Sequence, residues 1–512
     1  MADASSDLAF DLTIRGGRVV TGDDEIIADI GIKDGRISAI APSPAGLKPG
    51  AQDIDASGLL LVPGGVDSHC HIEQKTSTGL TPSDDFYTAS MSALCGGTTT
   101  IIPFACQHRG ERIRDVVTSY RALASKCAAD YAIHIIVSDP VAPHALEDLR
   151  ECFKQGYTSV KVYMTYDALK LRDEELLDVL ELCRQHAAMV MVHAESHELI
   201  AWITRRLLRA GLKTPKYHAV ARHPLAEREA AHRAITFAEF IGTPLLIVHV
   251  SGNEAVREIA SARQRGLPIF GETCPQYLVL TKSCLDHPHD EWQGAKYLCS
   301  PPLRCQKDQC ALWAGLRLGQ LQVVSSDHSA YNFEGSGASK MMHGSESSFN
   351  KVPMGLPGLE ARLMLLYSGV QAKKIDLRTF VNVSSTNPAK LYGLYPQKGV
   401  IQVGSDADLA IWDPKGECVL SKSSLHDDLD YTPYEGRVIH GCPVATVLRG
   451  KVVYRRRGAS GTEELSITRD SGKWCACGKP DLLGWSGTWP NELDCVLEHA
   501  GISQSSKRAR LD

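Results

Sequence analysis

Short apolar runs alternate with longer amphipathic stretches through most of the chain, and this alternation constrains the fold more than any other feature. Eight runs read as β-strands, at residues 60–69, 98–104, 132–137, 159–163, 189–193, 245–249, 268–272 and 323–327. Helical patterns such as 173–185 and 225–241 lie between most of them. Strands that alternate with helices build parallel sheets, and eight such units predict an α/β protein with a (β/α)8 TIM-like barrel over residues 62–393. Two long connections, 277–303 and 329–357, predict lids or binding loops, because structureless loops of that length are otherwise rare in a compact domain.

Period-two alternation marks both ends of the chain. Residues 10–20 and 28–37 carry it, with Gly16-Gly17 and Asp34-Gly35 as turn signals, and residues 398–412 and 444–454 have the same texture. Together they predict one small β-sandwich, its N-terminal part in 1–61 and its C-terminal part in 394–457. Residues 458–512 read as a polar extension, partly disordered, ending in a short Lys507-Arg508-Ala509-Arg510 cluster that suits a solvated tail better than a nuclear signal. Cys475-Ala476-Cys477 is too short a motif to predict a metal site.

Composition excludes several classes. At 512 residues and 43% hydrophobic the chain has material for a large core. A net charge of -5 and a pI near 6.4, with no basic face, argue against nucleic-acid binding. No apolar run reaches the ~18 residues of a membrane span. The first residues are acidic and polar, without an apolar signal core. Sixteen cysteines without a repeated spacing read as reduced thiols, and the expected location is cytoplasmic.

The predicted strands end on polar residues. The first ends in His69-Cys70-His71, and alternate residues of a strand share a face, so both imidazoles point one way. The fifth ends at His193, the sixth at His249 and the eighth at Asp327, while the fourth carries Lys161. One strand-end histidine is usually a satisfied structural residue. Four histidines and an aspartate, each at the C-terminal end of a barrel strand, predict a shared site in the barrel mouth, where neutral imidazoles suit a divalent metal. Lys161 admits two readings: a lysine reaching solvent or an acid, or a neutral amine that has added carbon dioxide to become an anionic carbamate bridge between two metals.

At this point the residues match a known family. The chain resembles the cyclic amidohydrolases, most closely the dihydropyrimidinases (D-hydantoinases), over about residues 10–455. The resemblance rests on Pro63-Gly64-Gly65-Val66-Asp67-Ser68-His69-Cys70-His71, Gly96-Gly97-Thr98-Thr99-Thr100, Ser159-Val160-Lys161-Val162-Tyr163-Met164-Thr165-Tyr166, His193-Ala194-Glu195, Ser300-Pro301-Pro302-Leu303-Arg304, Ser326-Asp327-His328, Gly355-Leu356-Pro357-Gly358-Leu359-Glu360, Asn387-Pro388-Ala389-Lys390 and Gly404-Ser405-Asp406-Ala407-Asp408. It implies two zinc ions. His69, His71, N6-carboxylated Lys161 and Asp327 would hold one, and Lys161, His193 and His249 the other, with a bridging hydroxide. It implies hydrolytic ring opening of dihydrouracil, dihydrothymine or 5-substituted hydantoins to N-carbamoyl amino acids. Asp327 would serve as general acid/base, Tyr166 as oxyanion donor, and Ser300 and Met354 as substrate contacts. It also implies a homotetramer and a small-molecule cyclic amide as partner.

Two positions depart from the family's pattern. Met354 stands where members commonly carry Asn, and Glu73-Gln74-Lys75 replaces an apolar stretch, which predicts a more polar specificity loop. Allantoinase or another cyclic ureide hydrolase is the alternative reaction. Dihydroorotase is disfavoured, since the residues after His71 offer an acid rather than an Arg. A collapsin-response-mediator-like scaffold is the non-enzyme alternative, set against a complete ligand set.

Overall fold

The computed structural model describes residues 9–44, 46–76, 79–335, 337–457, 462–485 and 492–500. Among them the strands form two sheets. The larger runs parallel from Gly65–His71 through Thr98–Cys106, His134–Ile136, Ser159–Tyr163, Met189–His193, Leu245–Ile247 and Ile269–Thr273 to Val323–Val324. The eighth run closes the ring, because His328 and Ser329 pair with Cys70 and His71 of the first strand. This is the expected TIM-like barrel. Its strands are apolar on both faces, as parallel strands under a helix layer must be. Val160, Val162, Val190 and Val192 meet the outer helices, while Met189, Met191, Leu246 and Phe270 fill the interior.

The helices follow the local signals. Pro224–Ile241 begins with proline in its first turn and ends at Gly242, whose φ of 80° only a residue without Cβ adopts freely. Asp173–His186 has Asp173, Glu174 and Glu175 in its first turn, at the positive end of the helix dipole.

Two predicted strands are each divided. The run 60–69 splits at Gly64: Leu60–Pro63 pairs antiparallel with Leu409–Leu420, and only Gly65–His71 enters the barrel. A Cβ on Gly64 would lie 2.1 Å from Thr99 Oγ1, so the crossing between sheets requires glycine. The run 323–327 keeps ladder pairing only at its first two residues before the backbone bends.

The second sheet is built from both ends of the chain. Phe10–Val20, Glu25–Lys33, Arg36–Pro42, Gly50–Asp55 and Leu60–Pro63 join Leu409–Leu420, Arg437–Leu448, Lys451–Arg457 and Thr462–Leu465. Asp34-Gly35 forms the expected two-residue turn, with both φ angles positive, between paired Lys33 and Arg36. Gly16-Gly17 does not turn the chain. It forms a bulge inside Phe10–Val20, where the pairing register slips between Ile14 and Gly17.

Part of the stretch read as a polar extension packs under the barrel. The Tyr131 amide donates to Lys473 O, the Cys475 amide to Tyr131 O, and the Cys477 amide to Gly156 O. Cys475 and Cys477 are buried with Tyr392 and Leu391 in the interior cluster, and burial pushes both thiols up. Residues 501–512, including the basic cluster, lie outside the described residues.

Lys398 joins the barrel to the end sheet. Its buried Nζ lies 3.0 Å from Asp406 Oδ2, 2.7 Å from Asp408 Oδ2 and 2.5 Å from Asp130 Oδ2. Removing the cation leaves Asp406 and Asp408 buried without a cationic partner among the described residues, while Asp130 keeps Arg449, so Lys398→Met should cost about 3–5 kcal/mol. Urea unfolding measures this, and an unchanged midpoint would refute the role.

Candidate active site

The first barrel strand carries a bulge. Asp67 pairs with Ile101 but Cys70 with Pro103, so residues 68 and 69 share one step of the ladder. Val66 points inward and Cys70 outward, and the bulge is what turns His69 and His71 to the interior. Their rings lie 5.3 Å apart. Asp327 Oδ1 is 3.2 Å from His69 Nε2 and 3.4 Å from His71 Nε2. Lys161 Nζ, fully buried, lies 3.3 Å from His69 Nε2. On the other side His193 Nδ1 and His249 Nε2 face each other at 2.8 Å, and the His249 ring is 5.5 Å from that of His69.

Strand alternation alone would send His249 the wrong way. Leu245 and Ile247, which share its parity, face the outer helices. His249 reaches the site because its backbone turns to φ 39°. Asp327 (φ 49°) and Tyr166 (φ 70°) are also left-handed. Such conformations are costly outside glycine and gather at functional sites.

Behind each of three histidines stands an acceptor. His69 Nδ1 donates to Glu272 Oε1 (2.6 Å), His71 Nδ1 to Gln74 Oε1 (2.7 Å) and His193 Nε2 to Glu195 Oε2 (2.8 Å). These bonds leave His69 Nε2, His71 Nε2 and His193 Nδ1 as lone pairs aimed into the centre, the arrangement that orients imidazole ligands. Burial pulls the pKa of His69, His193 and His249 down, which keeps them neutral. Burial also lowers Lys161 and raises Glu272. Glu195 shifts the opposite way from Glu272. Burial would raise it, but the Arg222 guanidinium against it and His193 hold it down at about 2.

Lone pairs of neutral imidazoles facing one another and a carboxylate are unfavourable unless a cation lies between them. The donor set therefore fits divalent metal, and His69, His71 and Asp327 place their ligand atoms within 4.8 Å of one another. The other acidic cluster, Asp130, Asp406 and Asp408, is already filled by the Lys398 ammonium.

The cluster forms the floor of a cavity of about 710 Å³, and Tyr166, Ser300 and Met354 line its wall. The Arg222 guanidinium lies 5.0 Å from the Tyr166 ring centre, and Ser300 Oγ is 2.9 Å from Met354 Sδ. The predicted polar loop is only partly in the cavity. Gln74 and Lys75 line it, but Glu73 turns away to accept from the Phe86 amide and from Lys126 Nζ, both at 3.0 Å.

Five contributors have no role in the sequence reading: Glu195 stands only in a motif of the resemblance and Gln74 only in the polar loop, while Glu272, Arg222 and Lys340 are not singled out. Glu272 ends the seventh apolar run and could have been found by the rule that found His193. Gln74, Arg222 and Lys340 carry no local signal. Lys340 is buried, and its Nζ donates to Leu298 O (2.9 Å) and Pro353 O (3.1 Å), tying the loop that carries Ser300 to the loop that carries Met354.

The Amidohydrolase family profile matches residues 60–453. The chain belongs to the amidohydrolase family. Among curated relatives, the D-hydantoinase of Rhizobium radiobacter is 42% identical over 445 residues, 86% of this chain and 95% of the relative. The D-hydantoinase of Streptomyces coelicolor is 42% identical over 453 residues, 88% and 95% of the two chains. Among solved structures, the dihydropyrimidinase of Brevibacillus agri superposes with a TM-score of 0.86 at 38% identity, covering 92% of this chain and 99% of that one. Within the amidohydrolase family the chain is thus a cyclic amidohydrolase, the enzyme class its motifs imply, and the scaffold alternative falls away.

Proposed function

We propose that this amidohydrolase opens cyclic amides of the hydantoin or dihydropyrimidine type to N-carbamoyl amino acids with two zinc ions. The observation that carries the reading is the convergence of four histidines, Lys161 and Asp327 beneath a cavity lined by Tyr166 and Ser300. His69, His71 and Asp327 would hold one ion, His193 and His249 the other, and a carboxylated Lys161 both. When bound, two such ions supply an acidified water as nucleophile and polarise the ring carbonyl.

The chain's own groups do the rest. Asp327 accepts a proton from the attacking water and passes it to the leaving ring nitrogen. Its carboxyl is placed for this, 3.2 Å from His69 Nε2 and 3.4 Å from His71 Nε2 at the centre of the cluster. Tyr166, kept protonated because burial raises its pKa, donates its hydroxyl to the oxyanion that forms as the carbonyl is attacked. Ser300 and the backbone around Met354 orient the ring amide.

Sixteen free thiols suit a reducing, cytoplasmic location, and no helix among the described residues is long and apolar enough to cross a membrane. The homotetramer implied by the family resemblance belongs to the same proposal.

Steady-state turnover of dihydrouracil, 5-substituted hydantoins and allantoin by zinc-loaded protein tests the reaction. Hydrolysis of the first two supports it, and turnover of allantoin alone would favour a ureide hydrolase instead. In the same assay Tyr166→Phe should lower kcat about 10²–10³-fold with little change in KM. A kcat near that of the parent would remove Tyr166 from the oxyanion role.

A further inference from the structure

The cavity is far larger than one five- or six-membered ring, so its outer half receives whatever the ring carries. Its floor is the buried cluster, and its rim is formed by Lys75, His343 and Lys351, all exposed. The charge distribution is one-sided. The whole chain has more acids than bases, 60 against 55, yet among the described residues the only carboxylate lining this cavity is Asp327, already engaged by His69 and His71. Neither Lys75 nor Lys351 is in an ion pair among the described residues. Asp167, next to Tyr166, does not offset them, since it is turned to solvent and engaged by Lys170 and His197.

A cleft lined by one sign of charge focuses its field on the opposite sign. We propose that the substrate is a cyclic amide whose exocyclic arm ends in a carboxylate, with Lys75 and Lys351 meeting that carboxylate at the rim. The inference rests on the cyclic-amide reading above. The lysines stand at the mouth, so the charge belongs at the end of an arm, and Leu169, Met342 and Met354 cover its methylenes.

The test compares 5-(2-carboxyethyl)hydantoin with its neutral isostere 5-(2-carbamoylethyl)hydantoin, using the zinc-loaded full chain. The acid should exceed the amide in kcat/KM by about five- to tenfold, the contribution of two solvent-exposed ion pairs. The difference should lie mainly in KM and shrink as salt is raised. The double variant Lys75→Gln/Lys351→Gln should bring the ratio close to one. Lys415→Gln/Lys451→Gln, the same charge change on the end sheet, should leave the ratio where it was. Equal turnover of acid and amide would overturn the inference and leave the cyclic-amide reading intact. A preference that survives Lys75→Gln/Lys351→Gln would overturn the assignment to these lysines. Turnover of no hydantoin while dihydrouracil is still hydrolysed would overturn this inference alone, and turnover of neither would overturn the cyclic-amide reading with it.

Discussion

Lys161→Ala should yield a folded protein that has lost bound metal and activity together, with kcat/KM down on the order of 10³-fold or more, since two-metal stabilisation of the transition state supplies several kcal/mol. The reason lies in what surrounds the amine. Lys161 sits at the centre of a parallel strand, wholly buried, and its nearest polar neighbour is an imidazole nitrogen at 3.3 Å. An ammonium there has no carboxylate in hydrogen-bond contact among the described residues and would repel any cation bound by the histidines. Burial lowers its pKa, and the free amine can add carbon dioxide to give a bridging anion. Metal analysis alongside activity reads the outcome. A variant that keeps both its metal and its rate would end the bridging assignment. Loss of rate with metal retained would leave Lys161 a role in catalysis but not as the shared ligand.

Asp327→Asn should lower kcat by about 10²–10⁴-fold, the range for a positioned proton-transfer group, while the fold stays intact. Asparagine is the suitable probe because it matches aspartate in shape and tolerates the left-handed backbone at this position, φ 49°. The amide can neither accept the proton nor carry the negative charge that faces His69 and His71 at 3.2 and 3.4 Å. Pre-steady-state kinetics with metal content measured on the same sample separates slowed chemistry from metal loss. A near-parental kcat would assign the proton transfer elsewhere. A collapse in thermal stability would mean that the carboxylate holds the mouth together rather than moving protons.

Much of this was legible in the chain itself, because strand and helix periodicity are local properties. Alternation of apolar runs with amphipathic stretches was enough to predict the barrel, and period-two texture at both ends was enough to predict a shared β-unit. The polar residue at the end of each run marked His69, His71, His193, His249 and Asp327, since functional groups of a parallel barrel come from the C-terminal ends of its strands.

What the tertiary structure decided is where those groups point and what stands behind them. The bulge between Asp67 and Cys70 arises from pairing with a neighbouring strand, and without it His69 would face the helices. His249 lies on the outward parity of its strand and enters the site only through a left-handed backbone that no local pattern announces. Gln74, Glu195 and Glu272 select the ring nitrogen that His71, His193 and His69 present, and Arg222 keeps Glu195 charged. Glu73, although adjacent to Gln74 in the same loop, faces a helix end instead of the cavity. Periodicity assigns a residue to a face. Only closure of the sheet and contact between distant segments, such as Lys340 with Leu298 and Pro353, set direction, protonation and the shape of the cavity.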